Sequence, residues 1–306
     1  MPEPVAGTPG ANPAATPGTN PAADAVGLAD AATAARHALG EGHYPTLRLA
    51  HLYPSLLNVA GDGGNVMAIV QRCAWRGIPT EVVSVEPGEQ PDFTTFDLVL
   101  FHGGQDVEMQ VVAADLGLKA PSLREAADQG VLIFAVCAGL QLLGQRYVAS
   151  SGEVMEGAAI LDLETRGGPQ RFMQHAAIEV AIDGRRGTVV GFENHSGQTE
   201  LGPGARAFGT VVAGAGNNGR DGTEGAVRDH VYATYLHGPV LPKNPWLTDQ
   251  LIRIALERRL GRPVELAPLD DTVELRAHDV ALAKALHNKG RFTALEPARL
   301  VRGRTP

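Results

Sequence analysis

The feature that most constrains the fold is a run of six apolar residues, VLIFAV at 131–136, which leads directly into a cysteine. Six residues are too few for a buried helix, and an apolar run of this length is typical of a central strand in a parallel sheet. From Leu47 onward, other short apolar runs alternate with amphipathic segments. This alternation predicts an α/β fold with a mostly parallel central sheet flanked by helices.

The remaining elements follow the same pattern. Before the cysteine, the sequence predicts strands at 47–53, 80–85 and 96–104 and helices at 65–77 and 122–130. After it, apolar runs indicate a region richer in strands and turns, then a helix at about 247–259 and a further helix near 278–288. The predicted strands of this region are EGAAILDLET, QHAAIEVAI, RGTVVGFEN, ARAFGTVVAG and HVYATYLHG.

Composition divides the chain into three parts. Residues 1–42 are rich in Pro, Ala and Gly and predict a disordered tail, with an Ala-rich stretch at 25–42 that could form a short helix. Residues 43–260 contain the alternating pattern and form the predicted folded domain. Residues 261–306 are a charged C-terminal tail that we expect to be partly helical.

Charge and composition exclude several classes of function. The formal net charge of −8 does not favour binding to nucleic acid or to anionic lipid. The sequence contains neither a long apolar segment nor a signal peptide, so we expect a cytoplasmic protein without a membrane span. The two cysteines cannot form a disulfide framework, and no short spacing typical of a metal site occurs. We expect no metal in this chain.

The cysteine at the end of the apolar run, Cys137, has the setting of a nucleophile. A strand that ends at a cysteine and passes at once into a helix has the layout of a nucleophile elbow, which exposes the side chain at the carboxyl edge of the sheet. A helix N-terminus favours the thiolate, and the N–H of Ala138 would face a developing oxyanion. Gly139 would let a substrate approach. The alternative is that Cys137 is a small apolar residue that packs at a strand end.

Two distant segments favour the catalytic interpretation. His102-Gly103-Gly104 ends another apolar strand, where the glycines could direct a second N–H into the same oxyanion site. His237 lies one residue before the end of the segment HVYATYLHG and precedes a Gly-Pro turn, where an imidazole could reach the thiol as a general base. Cys73, in contrast, falls on the apolar face of its helix and is predicted to be a core thiol.

The sequence does not predict a nucleotide-binding site. The glycines at 214, 216 and 219 match a dinucleotide fingerprint, but RDGTEGAVRD after them is not helical, so we predict a loop. The phosphate-binding pattern G-x-x-x-x-G-K-[ST] does not occur. ATP for any coupled synthesis would therefore be bound by another protein.

With these residues identified, the chain resembles the class I glutamine amidotransferases. It is most similar to the CobB/CobQ-like branch and, within it, to the GatD family, the glutaminase subunits of lipid II isoglutaminyl synthases. The resemblance covers roughly residues 47–260 and implies the flavodoxin-like, three-layer form of the predicted fold. The motifs that carry it are GDGGN (61–65), HGGQD (102–106), CAGLQLLG (137–144), EGAAILD (156–162), GFENHSG (191–197), GAGNNGRDGTEG (214–225) and TYLHGPVLPKN (234–244).

The resemblance implies a function and a set of residues. Cys137 would form a thioester with glutamine, His237 would be its base, Arg171 would hold the substrate carboxylate, and Gln141 would contact the substrate. Gly103, Gly104 and Ala138 would form the oxyanion hole. The ammonia would pass to a Mur-ligase-like synthetase, the MurT-type partner in a heterodimer, which would bind ATP and Mg²⁺ and amidate D-glutamate in lipid II.

One departure from the family pattern leaves the base without an obvious orienting acid. Most class I members carry Glu two residues after the histidine, whereas this chain has Pro239. We therefore expect a Cys–His dyad, with Glu193 and Asp62 as weak candidates for orienting His237. Three other interpretations remain open: a glutaminase that serves a cobyric-acid-type or other synthetase, an inactive regulatory subunit, and an unrelated cysteine hydrolase.

Overall fold

The computed structural model describes residues 44–58 and 61–287. The tail predicted at 1–42 and its short helix therefore lie outside the described residues. Five α-helices are present in the described part of the chain: α1 (Gly64–Trp75), α2 (Asp106–Asp128), α3 (Ala138–Leu143), α4 (Pro245–Leu260) and α5 (Thr272–His287). None of these helices combines the length and the apolar character needed to cross a membrane.

Twelve strands in the same residues form two six-stranded sheets, together with single-turn 3₁₀ helices at Phe93–Thr95 and Leu241–Lys243. The strands are β1 (Leu47–Leu52), β2 (Thr80–Val85), β3 (Leu98–Phe101), β4 (Leu132–Val136), β5 (Arg146–Val148), β6 (Val154–Glu156), β7 (Leu163–Ile182), β8 (Arg185–Leu201), β9 (Gly209–Ala213), β10 (Thr223–Glu224), β11 (Ala226–Arg228) and β12 (Val231–Thr234).

The first sheet has the order β11-β12-β4-β3-β1-β2. All neighbouring strands in it are parallel except β11, which pairs antiparallel with β12 at the edge. Without that edge strand, the order is that of a doubly wound, flavodoxin-like sheet. The predicted α/β class and the mostly parallel central sheet are therefore confirmed.

Helices cover both faces of this sheet. The connection β1-α1-β2 runs toward one edge and β3-α2-β4 runs toward the other, and because such crossovers are right-handed, α1 and α2 lie on opposite faces. Helix α4 packs beside α1, where Arg72 and Arg76 bind Asp249 at 2.6 and 2.7 Å. The central strands are almost wholly buried, which explains the continuous apolar run of β4.

The second sheet, with the order β10-β9-β7-β5-β6 and with β8 paired to β7, was not predicted as a separate sheet. Its centre is a long antiparallel hairpin of β7 and β8, joined by Asp183 and Gly184, which both have positive φ.

 The φ angles are 47° for Asp183 and 77° for Gly184, as a two-residue type I′ turn requires. The strands predicted at QHAAIEVAI and RGTVVGFEN are the parts of this hairpin nearest the turn, and pairing between β7 and β8 extends both strands well beyond them.

Helix α2 is much longer than the helix predicted at 122–130, because it begins at Asp106. Its early turns bury Met109, Val112 and Leu116, which recur at helical spacing and pack on the core. The helix continues through Pro121, so burial of this face outweighs the hydrogen bond that proline cannot donate.

Helix α5 packs on the second sheet rather than extending into solvent. Ala281 and Ala285 join a small apolar cluster with Ala177, Val190 and Ala213. The helix predicted near 278–288 therefore exists but begins earlier, at Thr272. The domain limits at 43–260 and 261–306 stay predictions.

Candidate active site

Four adjacent strands of the first sheet bring the candidate residues to one edge. Cys137 follows β4, His102 and Gly103 follow β3, and His237 lies three residues beyond β12. Asp62 lies in the connection from β1 to α1. Since β12, β4, β3 and β1 are neighbours and parallel, their carboxyl ends meet at this edge, where open α/β sheets bind their ligands.

Cys137 has the backbone conformation of a nucleophile elbow. Its φ is 50° and its ψ is −99°, which is a region that residues other than glycine rarely adopt and that costs about 1–3 kcal/mol. The Cys137 N–H donates to the Thr234 carbonyl at 2.8 Å, which ties the elbow to β12. The sharp turn leaves the thiol at the start of α3.

Gly139 has a packing role that the sequence did not predict. A Cβ atom at this position would lie 2.3 Å from the Phe101 carbonyl oxygen, and the Gly139 N–H donates to the His102 carbonyl at 3.2 Å. The glycine therefore allows α3 to pack against the end of β3. That it also lets a substrate approach the turn stays a prediction.

His237 is oriented by Asp62, one of the two candidates from the sequence, so the expected Cys–His dyad has a third member. The His237 Nδ1 atom lies 2.9 Å from Asp62 Oδ2, and both side chains are buried. The imidazole is also within hydrogen-bonding reach of the Cys137 thiol. Asp62 thus takes the place that Glu has in the usual class I pattern, although it comes from a different part of the chain.

The charges of these groups favour a protonated imidazole. Burial lowers the pKa of His237, but the neighbouring Cys137 sulfur and the hydrogen bond that His237 donates to Asp62 raise this pKa by more, so that it lies above its ordinary value. A positive charge on the imidazole would stabilise a neighbouring thiolate, which is the nucleophilic form of cysteine. The arrangement can support attack by sulfur on a carbonyl carbon.

Gly103 does not have a free N–H for an oxyanion hole, which corrects its predicted role. Its N–H donates to Asp62 Oδ2 at 3.3 Å. A Cβ atom at Gly103 would lie 2.5 Å from His237 Cε1 and 2.9 Å from Asp62 Oδ2. This glycine therefore leaves room for the paired imidazole and carboxylate.

The thiol opens into a cavity of about 290 Å³. Its lining includes Gly104, Cys137, Gln141 and Arg171, which are four of the residues predicted from the sequence. The Arg171 Nε atom donates to Asn194 Oδ1 at 2.8 Å, so a neighbouring strand holds the guanidinium at the cavity. The volume is near the lower end of the range for small-molecule sites, about 300–1,000 Å³, as an amino acid would require.

A buried polar network forms one wall of this cavity. The Gln141 Nε2 atom donates to the Tyr235 hydroxyl at 3.2 Å, and the Tyr235 ring stacks on His195 with centroids 3.7 Å apart. Burial lowers the pKa of His195 to about 3, so its imidazole is neutral. Because His195 Nδ1 donates to the Gly197 carbonyl at 2.8 Å, its Nε2 is an acceptor, and this atom has no partner in the described residues.

The glycine-rich loop at 214–219 binds a carboxyl group of the protein itself, that of Glu193. The N–H groups of Ala215 and Gly216 donate to the Glu193 carboxylate at 2.8 and 2.7 Å. The predicted loop is thus confirmed, and Glu193 is wrong as a candidate for orienting His237. In residues 44–58 and 61–287, no three His, Cys, Asp or Glu side chains are grouped to hold a metal ion. The absence of a metal stays a prediction.

Sequence reasoning undervalued Asp62 and did not identify Tyr147 or Asn194 at the site. Asp62 lies in the GDGGN segment that follows β1, and its place beyond the end of a predicted parallel strand, where such sheets bind ligands, was the signal that could have indicated it. Asn194 and Tyr147 carry no such signal, because their places depend on the second sheet, which the sequence did not reveal.

Comparison with known proteins agrees with this geometry. Residues 48–245 match the CobB/CobQ-like glutamine amidotransferase domain. The chain is 36% identical over 243 residues to the lipid II isoglutaminyl synthase (glutamine-hydrolyzing) subunit GatD of Staphylococcus aureus, which covers 79% of this chain and 98% of that protein. The protein of the same name from Streptococcus pneumoniae is 34% identical over 233 residues, covering 76% of this chain and 89% of that protein.

A more distant relative has a different name. The probable cobyric acid synthase of Methanosphaerula palustris is 34% identical over 163 residues, which are 50% of this chain but only 30% of that protein. The family match covers more than half of the chain, and the two GatD relatives match it over most of their length. The chain therefore belongs to the family of CobB/CobQ-like glutamine amidotransferase domains.

Proposed function

We propose that this chain hydrolyses glutamine with Cys137 as the nucleophile and His237 as the acid and base. The observation that carries the proposal is the imidazole within reach of the thiol and hydrogen-bonded to Asp62 at 2.9 Å. The thiolate attacks the side-chain carboxamide carbon, and the tetrahedral intermediate collapses as His237 donates a proton to the departing nitrogen. Ammonia leaves, and a γ-glutamyl thioester remains.

Water completes the cycle. His237 accepts a proton from the water as its oxygen attacks the thioester carbon, the carbon–sulfur bond breaks, and glutamate leaves with the thiolate restored. The neighbouring Asp62 keeps Nδ1 of the ring engaged, so that the other ring nitrogen serves the reaction. Apart from glutamine and water, the hydrolysis needs no reactant from outside this chain.

Arg171 and the backbone N–H groups would bind the substrate. The guanidinium has donors left after its contacts with Asn194, and they suit the α-carboxylate of glutamine. The N–H groups of Gly104 and Ala138 have no acceptor among the described residues and would stabilise the oxyanion. Gln141, in the same cavity, would contact the substrate beside the scissile group.

The ammonia would serve the amidation of lipid II. Both GatD relatives are named as subunits of a glutamine-hydrolysing lipid II isoglutaminyl synthase, and the S. aureus protein matches over 98% of its length. The partner in this proposal is a Mur-ligase-like synthetase of the MurT type, which binds ATP and Mg²⁺ and activates the D-glutamate carboxyl of the stem peptide. The cobyric acid synthase relative supports the alternative of a different synthetase less well, because only 30% of that protein is covered.

The first test is chemical. Glutamine hydrolysis and labelling by a glutamine-analogue electrophile are measured for the complex, for Cys137→Ala and for Cys73→Ala as the matched control. Cys73 is buried in the core, and burial raises its pKa to about 12, so its replacement should leave labelling intact. Full hydrolysis by Cys137→Ala would reject the mechanism, and an unreactive Cys137 in the intact complex would indicate a regulatory subunit.

The second test identifies the synthetase. The chain is co-expressed with a Mur-ligase-like protein, the complex is purified, and lipid II is analysed for the mass change from carboxylate to carboxamide. Amidation that needs both proteins and Cys137 supports the proposal. Co-purification with a cobyrinate synthetase instead, and no change in lipid II, would support the alternative.

A further inference from the structure

A second cavity, of about 430 Å³, lies between helix α5 and the second sheet. The basic side chains at its wall come from three elements: His175 on β7, Lys243 in the 3₁₀ helix, and Arg276 and Lys284 on α5. None of the residues that line it is acidic. The protein as a whole has a net charge of −8, so a cluster of basic side chains without an acidic residue contrasts with its overall charge.

The basic groups of this cavity are available for a ligand. In the described part of the chain, the side chains of Arg276 and Lys284 make no hydrogen bond or ion pair, and both residues are exposed. Burial lowers the pKa of His175, and the charges of Lys284 and Lys243 lower it further. The positive charges at this cavity are therefore those of Lys243, Arg276 and Lys284, and no acidic residue in the lining balances them.

The helix side of the cavity is apolar as well as basic. Val273 and Val280 are 78% and 51% exposed, and they recur with Arg276, Ala277 and Lys284 on one face of α5. A small inorganic anion would satisfy the charges but leave the valines in water. A peptide segment with acidic and apolar side chains would satisfy both.

The cavity is connected to the catalytic base by two short routes. The Lys243 Nζ atom donates to the carbonyl of Gly238, the residue after His237, at 2.8 Å. On the other wall, the His175 ring contacts the Phe192 ring with centroids 5.4 Å apart. Phe192 and His237 exchange two backbone hydrogen bonds of 3.2 and 2.9 Å.

We propose that this cavity receives an acidic, partly apolar segment of the synthetase partner, and that the contact acts on His237 through Lys243. An acidic group in the cavity would compete with the Gly238 carbonyl for the Lys243 ammonium and so alter the peptide that carries His237. Occupancy of the cavity would then make glutamine hydrolysis depend on the presence of the synthetase. This inference rests on the proposed function, because it requires a synthetase partner.

The first experiment measures binding of the co-expressed Mur-ligase-like synthetase to the charge-reversed variant Arg276→Glu/Lys284→Glu. We expect the dissociation constant to rise by about tenfold or more, with labelling of Cys137 unchanged in the isolated chain. The charge-conserving variant Arg276→Lys/Lys284→Arg and the distant exposed reversal Arg262→Glu are the controls, and both should bind as the wild type does. Equal binding by the reversed variant would overturn the proposal.

The second experiment tests the connection to His237. In Lys243→Met, the ratio of glutamine hydrolysis with the synthetase to hydrolysis without it should fall toward one, measured at saturating synthetase. An unchanged ratio would overturn the coupling. Inorganic phosphate is the probe for a small-anion site. If phosphate binds in the cavity and the charge-reversed variant binds the synthetase as tightly as the wild type does, the cavity is a small-anion site and the peptide proposal is overturned.

The two proposals fail in different ways. A wild-type complex that neither hydrolyses glutamine nor allows labelling of Cys137 would reject the proposed function itself. A wild-type complex that is active, but whose assembly and activity do not change when Arg276, Lys284 and Lys243 are altered, would reject only this inference.

Discussion

The Nδ1 atom of His237 lies 2.9 Å from Oδ2 of Asp62, although 175 residues separate them in the chain. The carboxylate also accepts the N–H of Gly103, so it is held from two sides. Pro239, at the position where most class I members carry Glu, cannot provide this contact. The orienting acid comes instead from the connection after β1. Strand β1 lies two places from β4 in the sheet.

Asp62→Asn should lower kcat for glutamine hydrolysis by about 10²- to 10⁴-fold, with a smaller effect on KM, because the amide neither fixes the tautomer nor stabilises the imidazolium. Steady-state kinetics of the complex checks this. Glu193→Gln is the comparison, since that carboxylate binds the 214–219 loop and not His237. If Glu193→Gln reduces kcat and Asp62→Asn does not, the assignment of the acid is wrong.

Gly103→Ala should reduce kcat/KM by about 10²-fold or more, because a Cβ atom only 2.5 Å from His237 Cε1 would displace the imidazole. Kinetics and thermal unfolding are measured together. Gly117→Ala is the matched control: nothing lies within 4 Å of its added methyl group. As an exposed position inside α2, it should gain about 0.5–1 kcal/mol in free energy of unfolding and keep full activity. Normal kinetics in Gly103→Ala would contradict the geometry.

Arg171→Met should raise KM for glutamine by roughly 10- to 100-fold, since hydrogen bonds to a charged group contribute about 1.5–3 kcal/mol. The free energy of unfolding should change little, because Arg171 is exposed. Arg166→Met, on the same strand but outside the cavity lining, should leave KM as it is. An equal KM in both variants would remove Arg171 from the substrate site.

His195→Asn should change how stability depends on pH. Burial lowers the pKa of His195 to about 3 in the folded protein, against an ordinary value of 6.5. As pH falls below 6.5, the unfolded chain binds a proton at this position and the folded protein does not, so the free energy of unfolding falls. Without the imidazole, the slope between about pH 4 and 6 should be shallower by about 1.4 kcal/mol per pH unit.

Urea unfolding at several pH values measures this slope. The exposed His287→Asn variant is the control and should keep the wild-type slope. Because the comparison uses slopes, a uniform loss of stability in His195→Asn does not affect it. Identical slopes in His195→Asn and the wild type would show that His195 is protonated in the folded protein as readily as in the unfolded chain.

Much of the first sheet could be predicted from local patterns. Strand β2 has the predicted bounds, and β1 and β4 differ from theirs by one residue at one end. A strand that is buried on both faces requires apolar side chains at successive positions, so its signal is contained in a few residues. The elbow at Cys137 was predictable for the same reason, because strand, nucleophile and helix follow one another directly.

The second sheet was harder to predict. Strands β7 and β8 contain Gly167, Gly168 and several polar residues, which obscure the pattern of a long hairpin. Their pairing depends on contact between the two strands, and it is interrupted by an irregularity between Gly167 and Phe172. Position Arg171 falls within that irregularity, so its place at the cavity could be inferred only from the family resemblance.

The sequence by itself determined the parallel strands, the elbow at Cys137 and the position of His237 beyond a strand end, because each depends on side chains close together in the chain. Only the tertiary structure decided that Asp62 orients His237, that the Gly103 N–H is donated to Asp62, and that basic groups from three elements face one cavity. These contacts join residues far apart in sequence. They arise from the order of strands and the packing of helices, which no local pattern of apolar and polar residues records.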